Sequence, residues 1–172
     1  MFKYIKKETN RKMKTRIFSL LVLTAIAISS LSAQTNFLSG LEKAKTSNKK
    51  VLVNIYSDND TWSQKMEQVY STGNIMNYVN DNFVYVKLNG EGSDKIIYNG
   101  KDYTSASLAK FLGATGYPSH VFLAPDGTIL KFTYNGESAS VFSGYLDAPE
   151  FEKLLKYFAE NKYKSTDLGK VL

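Results

Sequence analysis

The chain has 172 residues, 43% of them hydrophobic, which is enough for one globular domain with a substantial core. It contains no cysteine, which excludes a disulfide framework, thiolate metal sites and thiol chemistry by its own side chains. The formal net charge of +6 raises the question of a nucleic-acid or membrane partner, and the answer depends on where the charge lies.

The basic excess lies at the N-terminus, where residues 1–16 carry seven Lys or Arg residues and one Glu. Residues 17–28 follow as an uncharged apolar run, shorter than the roughly 20 residues that span a bilayer as a helix. Small residues come next, with a cleavage site expected after Ala33. This pattern predicts a secretory signal peptide over residues 1–33 and one domain over residues 34–172.

Cleavage changes the charge balance, because removing seven of the 22 basic and one of the 16 acidic residues leaves 15 of each. The remaining domain also lacks arginine, the side chain best suited to bidentate phosphate contacts. We therefore expect no nucleic-acid partner, no membrane anchor after cleavage, and a periplasmic or secreted location. A permanent N-terminal anchor is the alternative, and either Met1 or Met13 can serve as the initiator.

Hydrophobic periodicity and turn residues predict the elements of the domain. In chain order they are a helix from residue 37 capped by Asn36, a strand at 51–56, helical segments at 62–70 and 74–79, a strand at 83–88 parallel to the first, a hairpin at 96–103 around Asn99-Gly100, a helix ending at Gly113, a hairpin of strands at 121–123 and 129–134, a polar loop at 136–143, and a helix with a capping box at Asp147 and Glu150. Helical spacing places Leu38, Phe111 and Phe158 among the residues expected to face the core. The order predicts an α/β sandwich around a mixed sheet.

Four segments of the chain resemble motifs of the thioredoxin-like fold family, and of its exported bacterial members in particular. These segments are residues 51–67, Gly116-Tyr117-Pro118, residues 121–127 and residues 144–151. The likeness covers nearly all of residues 36–163. It implies a three-layer α/β/α sandwich with a mixed sheet.

The sequence departs from the family at the positions that carry its chemistry. Asp60, Thr61, Trp62 and Ser63 stand where the family has Cys-x-x-Cys, and Asn54 stands at the place of its buried acid. Thiol-disulfide exchange needs a thiolate that attacks a disulfide sulfur. The resemblance therefore implies the fold without the dithiol activity, and Asp60 is expected to act as a helix N-cap.

The resemblance also implies a binding groove beside this helix start. Tyr117, Pro118 and Ser119 correspond to the family's cis-proline loop, whose backbone can pair with an extended peptide. We expect Trp62 to be exposed near Tyr117, where the two aromatic side chains would anchor a partner. The alternative interpretation is a loop that the fold requires and no partner uses.

The sequence therefore predicts an exported, redox-inactive thioredoxin-fold protein that binds a protein or extended peptide of the cell envelope. One alternative is a member of a thiol-disulfide oxidoreductase pathway that contributes substrate binding only. A second alternative is a serine hydrolase with Ser63 as nucleophile, His120 as base, and Asp60 or Asp58 as the orienting acid. We expect no catalytic residue, no cofactor and no metal, and we expect His120 to be a core or edge residue.

Overall fold

The computed structural model of the protein describes residues 37–172. The helices are α1 (Phe37–Ser47), α2 (Thr61–Tyr70), α3 (Gly73–Asn82), α4 (Ser105–Phe111) and α5 (Ala148–Ala159), with two 3-10 helices at Lys162–Lys164 and Leu168–Lys170. The strands are β1 (Lys50–Tyr56), β2 (Phe83–Asn89), β3 (Lys95–Tyr98), β4 (Lys101–Thr104), β5 (Ser119–Leu123), β6 (Phe132–Tyr134), β7 (Glu137–Ala139) and β8 (Phe142–Ser143). The predicted signal peptide, its cleavage site and the Asn36 cap lie outside the described residues. Within the described part, no helix combines the length and the apolar character needed to span a bilayer.

A four-stranded mixed sheet with the order β2-β1-β5-β8 forms the centre of the fold. β1 runs parallel to β2, with Val51 opposite Val84, and antiparallel to β5, with Asn54 opposite His120. The parallel pairing follows from the helical crossover of α2 and α3 between the two strands. The predicted pairing of the first two strands is confirmed.

Two apolar clusters lie on opposite faces of this sheet. Val53 and Ile55 of β1 belong to the cluster that includes α1 and α4, whereas Leu52 belongs to the cluster that includes α2, α3 and α5. Successive side chains of a strand point to opposite faces, so the continuous apolar sequence of β1 serves both clusters. The predicted three-layer α/β/α sandwich is confirmed.

The start of α5 follows the predicted capping box. The Asp147 carboxylate accepts a hydrogen bond from the Glu150 backbone N–H at 2.9 Å, and the Glu150 side chain accepts one from the Asp147 backbone N–H. Pro149 stands in the first turn, where a missing N–H costs little. Phe151 and Phe158 of this helix are fully buried, so the cap sets the direction of a helix that fills the core.

The first predicted hairpin is confirmed, and the second is present but shorter than predicted. Asn99 and Gly100 both have positive φ and join the antiparallel strands β3 and β4, as a two-residue turn requires. The segment after the 124–127 turn makes only one isolated bridge with β5. β6 pairs instead with β7, and β8 joins the main sheet, so the expected loop at 136–143 contains two strands.

A second two-residue turn accounts for this difference. Asn135 and Gly136 have positive φ, and their backbone N–H groups donate to the Asp167 carboxylate at 2.9 and 2.7 Å. An acceptor that lies 31 residues away in sequence therefore holds the turn between β6 and β7. The Asn135-Gly136 dipeptide is itself a local hairpin signal, and the expectation of a loop at 136–143 overlooked it.

Two residues expected to be buried are partly exposed. Leu38 is 40% exposed and Phe111 is 50% exposed. The buried positions of α1 include Phe37, Gly40 and Ala44, a stripe that excludes the position after Phe37. Phe111 lies at the surface against the Tyr98 and Tyr103 rings, with centroid distances of 5.9 and 5.2 Å.

The stacked Phe122 and Phe158 rings, 3.7 Å apart between centroids, predict a large loss of stability on truncation. We expect Phe158→Ala to lower the free energy of unfolding by about 3–5 kcal/mol, because it removes a fully buried ring and leaves a cavity. Phe111→Ala, at a half-exposed ring, should cost less than about 1 kcal/mol. Urea unfolding followed by circular dichroism measures both, and equal losses would contradict this description of the core.

Candidate functional site

Helix α2 begins at Thr61 because Asp60 caps it. The Asp60 backbone is extended, and its Oδ1 accepts a hydrogen bond from the Ser63 backbone N–H at 2.6 Å. A carboxylate at this position also interacts favourably with the helix dipole. Ser63 is buried, and its Oγ accepts a hydrogen bond from the Ser57 backbone N–H at 3.3 Å. Both residues that stand at the family's cysteine positions therefore hold local structure.

The loop at residues 117–119 lies at the start of β5 and is fixed by hydrogen bonds. The peptide bond between Tyr117 and Pro118 is cis, and the Pro118 carbonyl accepts a hydrogen bond from the Gly144 N–H at 2.8 Å. The Ser119 Oγ donates to the Gly116 carbonyl at 2.7 Å. Because Pro118 and Ser119 are buried, Tyr117 is the predicted loop residue that presents surface.

The backbone of Tyr117 is unpaired. Within residues 37–172, neither its N–H nor its carbonyl makes a hydrogen bond. Its side chain, by contrast, is fixed, because the hydroxyl donates to the Gly90 carbonyl at 2.8 Å. Position 90 must be glycine for this contact, since a Cβ there would collide with the Tyr117 ring.

An aromatic cleft lies between the start of α2 and the start of the 144–147 segment. Trp62, Tyr117, Gly144 and Tyr145 line it, and its volume is about 340 Å³. Trp62 is 50% exposed, and its ring lies 5.5 Å from that of Tyr145 between centroids. The Lys65 Nζ lies 4.1 Å from the centroid of the Trp62 ring, within the range of a cation–π contact.

The structure therefore brings together the two aromatic residues that the sequence indicated and adds a third. Trp62 and Tyr117 were expected to form a surface, whereas the role of Tyr145 was missed. Its only sequence signal is its place in the Gly144-Tyr145 segment that resembles the family. Gly144 has a φ of +117°, which glycine adopts readily. This turn leads into Tyr145 at the cleft.

Two polar pairs lie in the interior, one between β1 and β2 and one between the last residue of α2 and β5. The Asn54 Nδ2 donates to the Tyr85 hydroxyl at 3.1 Å, and the Tyr70 hydroxyl lies 3.1 Å from the His120 Nδ1. Burial raises the pKa of both Tyr70 and Tyr85, so both phenols stay neutral. Among the described residues, Asn54 Oδ1 and His120 Nε2 find no hydrogen-bond partner.

The hydrolase alternative has no support in this geometry. His120 is fully buried and bonds to Tyr70, while Asp60 accepts from the Ser63 N–H and Asp58 accepts from the Asn89 side chain. The expectation that His120 is a core residue is confirmed. In the part of the chain that the structure describes, no three His, Asp or Glu side chains gather as metal ligands would.

The buried His120 predicts a loss of stability in acid. Burial lowers its pKa from 6.5 to about 3, with the Gly144 backbone opposing the shift. Between these two values the unfolded chain binds a proton that the folded chain does not, so stability falls as the pH decreases. From pH 7.5 to 5 we expect a loss of about 2 kcal/mol from this group, measured by urea unfolding at both values.

The control is His120→Gln, which keeps a polar side chain that does not titrate. Tyr70 is the titratable group in hydrogen-bond contact with His120, and it stays neutral over this range. The variant should lose about 2 kcal/mol less than the unaltered protein over the same interval. Equal losses in the two proteins would show that protonation of His120 does not destabilise the folded protein.

The comparisons with known proteins agree with this fold. The model of the thioredoxin-like domain family matches residues 39–159. A thioredoxin-fold protein from Helicobacter pylori is 16% identical, with a TM-score of 0.55 over 72% of this chain and 80% of that one. A thioredoxin from Thermus thermophilus is 20% identical, with a TM-score of 0.51 over 72% of this chain and 83% of that one. No curated protein matches the chain.

At these identities the two structures establish a shared fold. The family model covers well over half of the sequence and confirms the resemblance predicted from its motifs. The chain belongs to the thioredoxin-like domain family.

Proposed function

We propose that this protein is exported and that it binds an extended segment of a partner protein in the cell envelope, without thiol-disulfide chemistry. The observation that carries the proposal is the cleft of Trp62, Tyr117 and Tyr145 beside an unpaired backbone. Export is inferred from the basic, apolar and small-residue pattern of residues 1–33.

The lining of the cleft favours an apolar side chain of the partner. Three aromatic rings and one glycine surround it, and none of these residues is charged. Exposed Trp and Tyr side chains provide large contact area with few rotatable bonds, and such residues often dominate binding energy. A volume of about 340 Å³ is suited to one large side chain rather than to a whole folded element.

The backbone beside the cleft favours a partner in extended conformation. The Tyr117 N–H and carbonyl are available for pairing, whereas the Pro118 carbonyl already accepts from Gly144. A partner strand can therefore exchange hydrogen bonds with Tyr117 while its side chain enters the cleft. This pairing is shorter than the resemblance implied, because Pro118 and Ser119 are buried.

The residues at the cysteine positions support a role without redox chemistry. The chain contains no cysteine, and the Asp60 carboxylate and Ser63 hydroxyl are engaged with backbone N–H groups. Any part in a thiol-disulfide pathway is therefore limited to holding a substrate. Binding by side-chain contact and backbone pairing is the activity that this site supports best.

Binding is tested through Trp62, the single tryptophan of the chain, whose fluorescence reports on the cleft directly. A permanently unfolded protein without tryptophan, such as reduced and carboxymethylated ribonuclease, should shift this fluorescence to shorter wavelength as the indole is covered. We expect Tyr145→Ala to weaken the binding about tenfold, because the ring that packs against Trp62 is lost.

Phe111→Ala is the matched control, since Phe111 is as exposed as Trp62 and does not line the cleft. It should leave the affinity unchanged. If Tyr145→Ala and Phe111→Ala bind the unfolded protein equally well, the cleft is not the binding site.

Redox inactivity is tested by the reduction of insulin with dithiothreitol. The unaltered protein should not accelerate the reaction above the reagent blank, because no thiolate is present to attack a disulfide. The double variant Asp60→Cys/Ser63→Cys restores a dithiol at the start of α2 and should exceed the blank. A protein-dependent acceleration by the cysteine-free chain would contradict the proposal.

A further inference from the structure

The chain contains three Asn-Gly dipeptides, at residues 89–90, 99–100 and 135–136. In such a pair the backbone nitrogen of the glycine can attack the amide carbon, Cγ, of the asparagine side chain. Glycine favours this ring closure because it has no Cβ to obstruct it and its backbone is freer to move than that of other residues. The three pairs share this local chemistry, so the folded structure determines which of them can react.

The first pair, Asn89 and Gly90, is held at both reacting groups. The Gly90 N–H donates to the Tyr56 carbonyl at 2.8 Å. The Asn89 side chain donates to the Asp58 carboxylate and accepts from the Glu91 backbone N–H, each at 2.9 Å. Attack by the Gly90 nitrogen on the Asn89 side chain would disturb all three hydrogen bonds.

The second and third pairs form a matched comparison. Asn99 and Asn135 have φ angles of +50° and +51°, and each is followed by a glycine with positive φ. Both pairs are exposed turns between short antiparallel strands. Chain neighbours aside, no atom lies within 4 Å of the place where a Cβ of either glycine would stand. The two turns differ in what their backbone N–H groups contact.

At the third pair the Asp167 carboxylate engages the attacking nitrogen. It accepts from the Asn135 N–H at 2.9 Å and from the Gly136 N–H at 2.7 Å. Hydrogen bonds to a charged acceptor are stronger than those between neutral groups. The attacking nitrogen must also give up its proton, and a carboxylate beside it disfavours the negative charge that results. Asp167 therefore opposes the reaction in two ways.

At the second pair the attacking nitrogen is not engaged. Among residues 37–172, the Gly100 N–H has no hydrogen-bond acceptor. The Asn99 side chain interacts with the Tyr98 hydroxyl, a contact that does not involve the Gly100 nitrogen. The structure thus leaves one of the three pairs able to react.

We propose that Asn99 is a site of spontaneous deamidation in the folded protein, and that Asp167 protects Asn135 from the same reaction. The Gly100 nitrogen loses its proton and forms a bond to Cγ of Asn99, and the bond between Cγ and Nδ2 breaks as ammonia leaves with a proton. Water then opens the cyclic imide at either carbonyl, which gives aspartate or isoaspartate. Each event adds one negative charge to a predicted mature domain that has 15 basic and 15 acidic residues.

Peptide mapping of the folded protein after incubation in mildly alkaline buffer tests the proposal. Cleavage after lysine places the three pairs in separate peptides, residues 88–95, 96–101 and 132–153, and mass spectrometry detects the exchange of an amide for a carboxyl group. We expect Asn99 to react at least about tenfold faster than Asn89 and Asn135, because the hydrogen bonds that hold the other two glycine nitrogens must be broken first. In concentrated urea at the same pH, the three rates should become similar.

The variant Asp167→Ala removes the acceptor at the third pair. It should accelerate the deamidation of Asn135 about tenfold and leave the rate at Asn99 unchanged. Asp81→Ala, which removes another exposed carboxylate, is the matched control and should change neither rate. Circular dichroism shows whether each variant is folded, and the comparison of Asn99 with Asn135 in the unaltered protein requires no variant.

Three results would each overturn the proposal. Asn99 reacts no faster than Asn135 in the folded protein. The difference between the two persists in urea, so that it comes from the neighbouring sequence and not from the fold. Asn135 reacts at an unchanged rate in folded Asp167→Ala, so that the carboxylate is not what protects it.

Discussion

The antiparallel pairing of β1 with β5 is the constraint on which the site depends. Its register sets Asn54 directly opposite His120 and Ile55 opposite Ser119. Because α2 follows β1 and the Tyr117 loop precedes β5, this pairing brings the start of the helix and the loop to the same end of the sheet. The cleft between Trp62 and Tyr117 is therefore a product of strand register, and a shift by one residue would turn the side chains of the shifted strand to the other face.

Much of the fold could be predicted because its signals are local. The apolar run of β1, the Asn99-Gly100 turn and the Asp147 capping box each specify structure within a few residues, and all three are found as expected. The pairing of β6 with β7 was missed although Asn135-Gly136 carries the same local signal as Asn99-Gly100, and only the contact of this turn with Asp167 is non-local. The exposure of Phe111 was missed because it depends on the packing of a hairpin of other residues against its ring.

In the candidate site too, some features could be predicted from the sequence and others could not. Asp60 as a helix cap follows from its position at a helix start, and Trp62 as an exposed residue follows from the resemblance to the family. Tyr145 approaches Trp62 only in three dimensions, and the burial of Pro118 depends on β8 and Gly144 lying across it. The position of β2 at the edge of the described sheet is likewise not visible in the sequence, because a central strand and an edge strand with buried side chains have similar patterns.

The contact between Gly90 and Tyr117 constrains how this protein can vary. The hydroxyl of Tyr117 reaches a backbone carbonyl 27 residues earlier in the chain, and the ring fits only because position 90 has no side chain. A larger residue at position 90 can be accepted only if position 117 becomes smaller or turns away. In homologues that keep this geometry, the two positions are therefore expected to change together, as a covarying pair that local sequence patterns would not reveal.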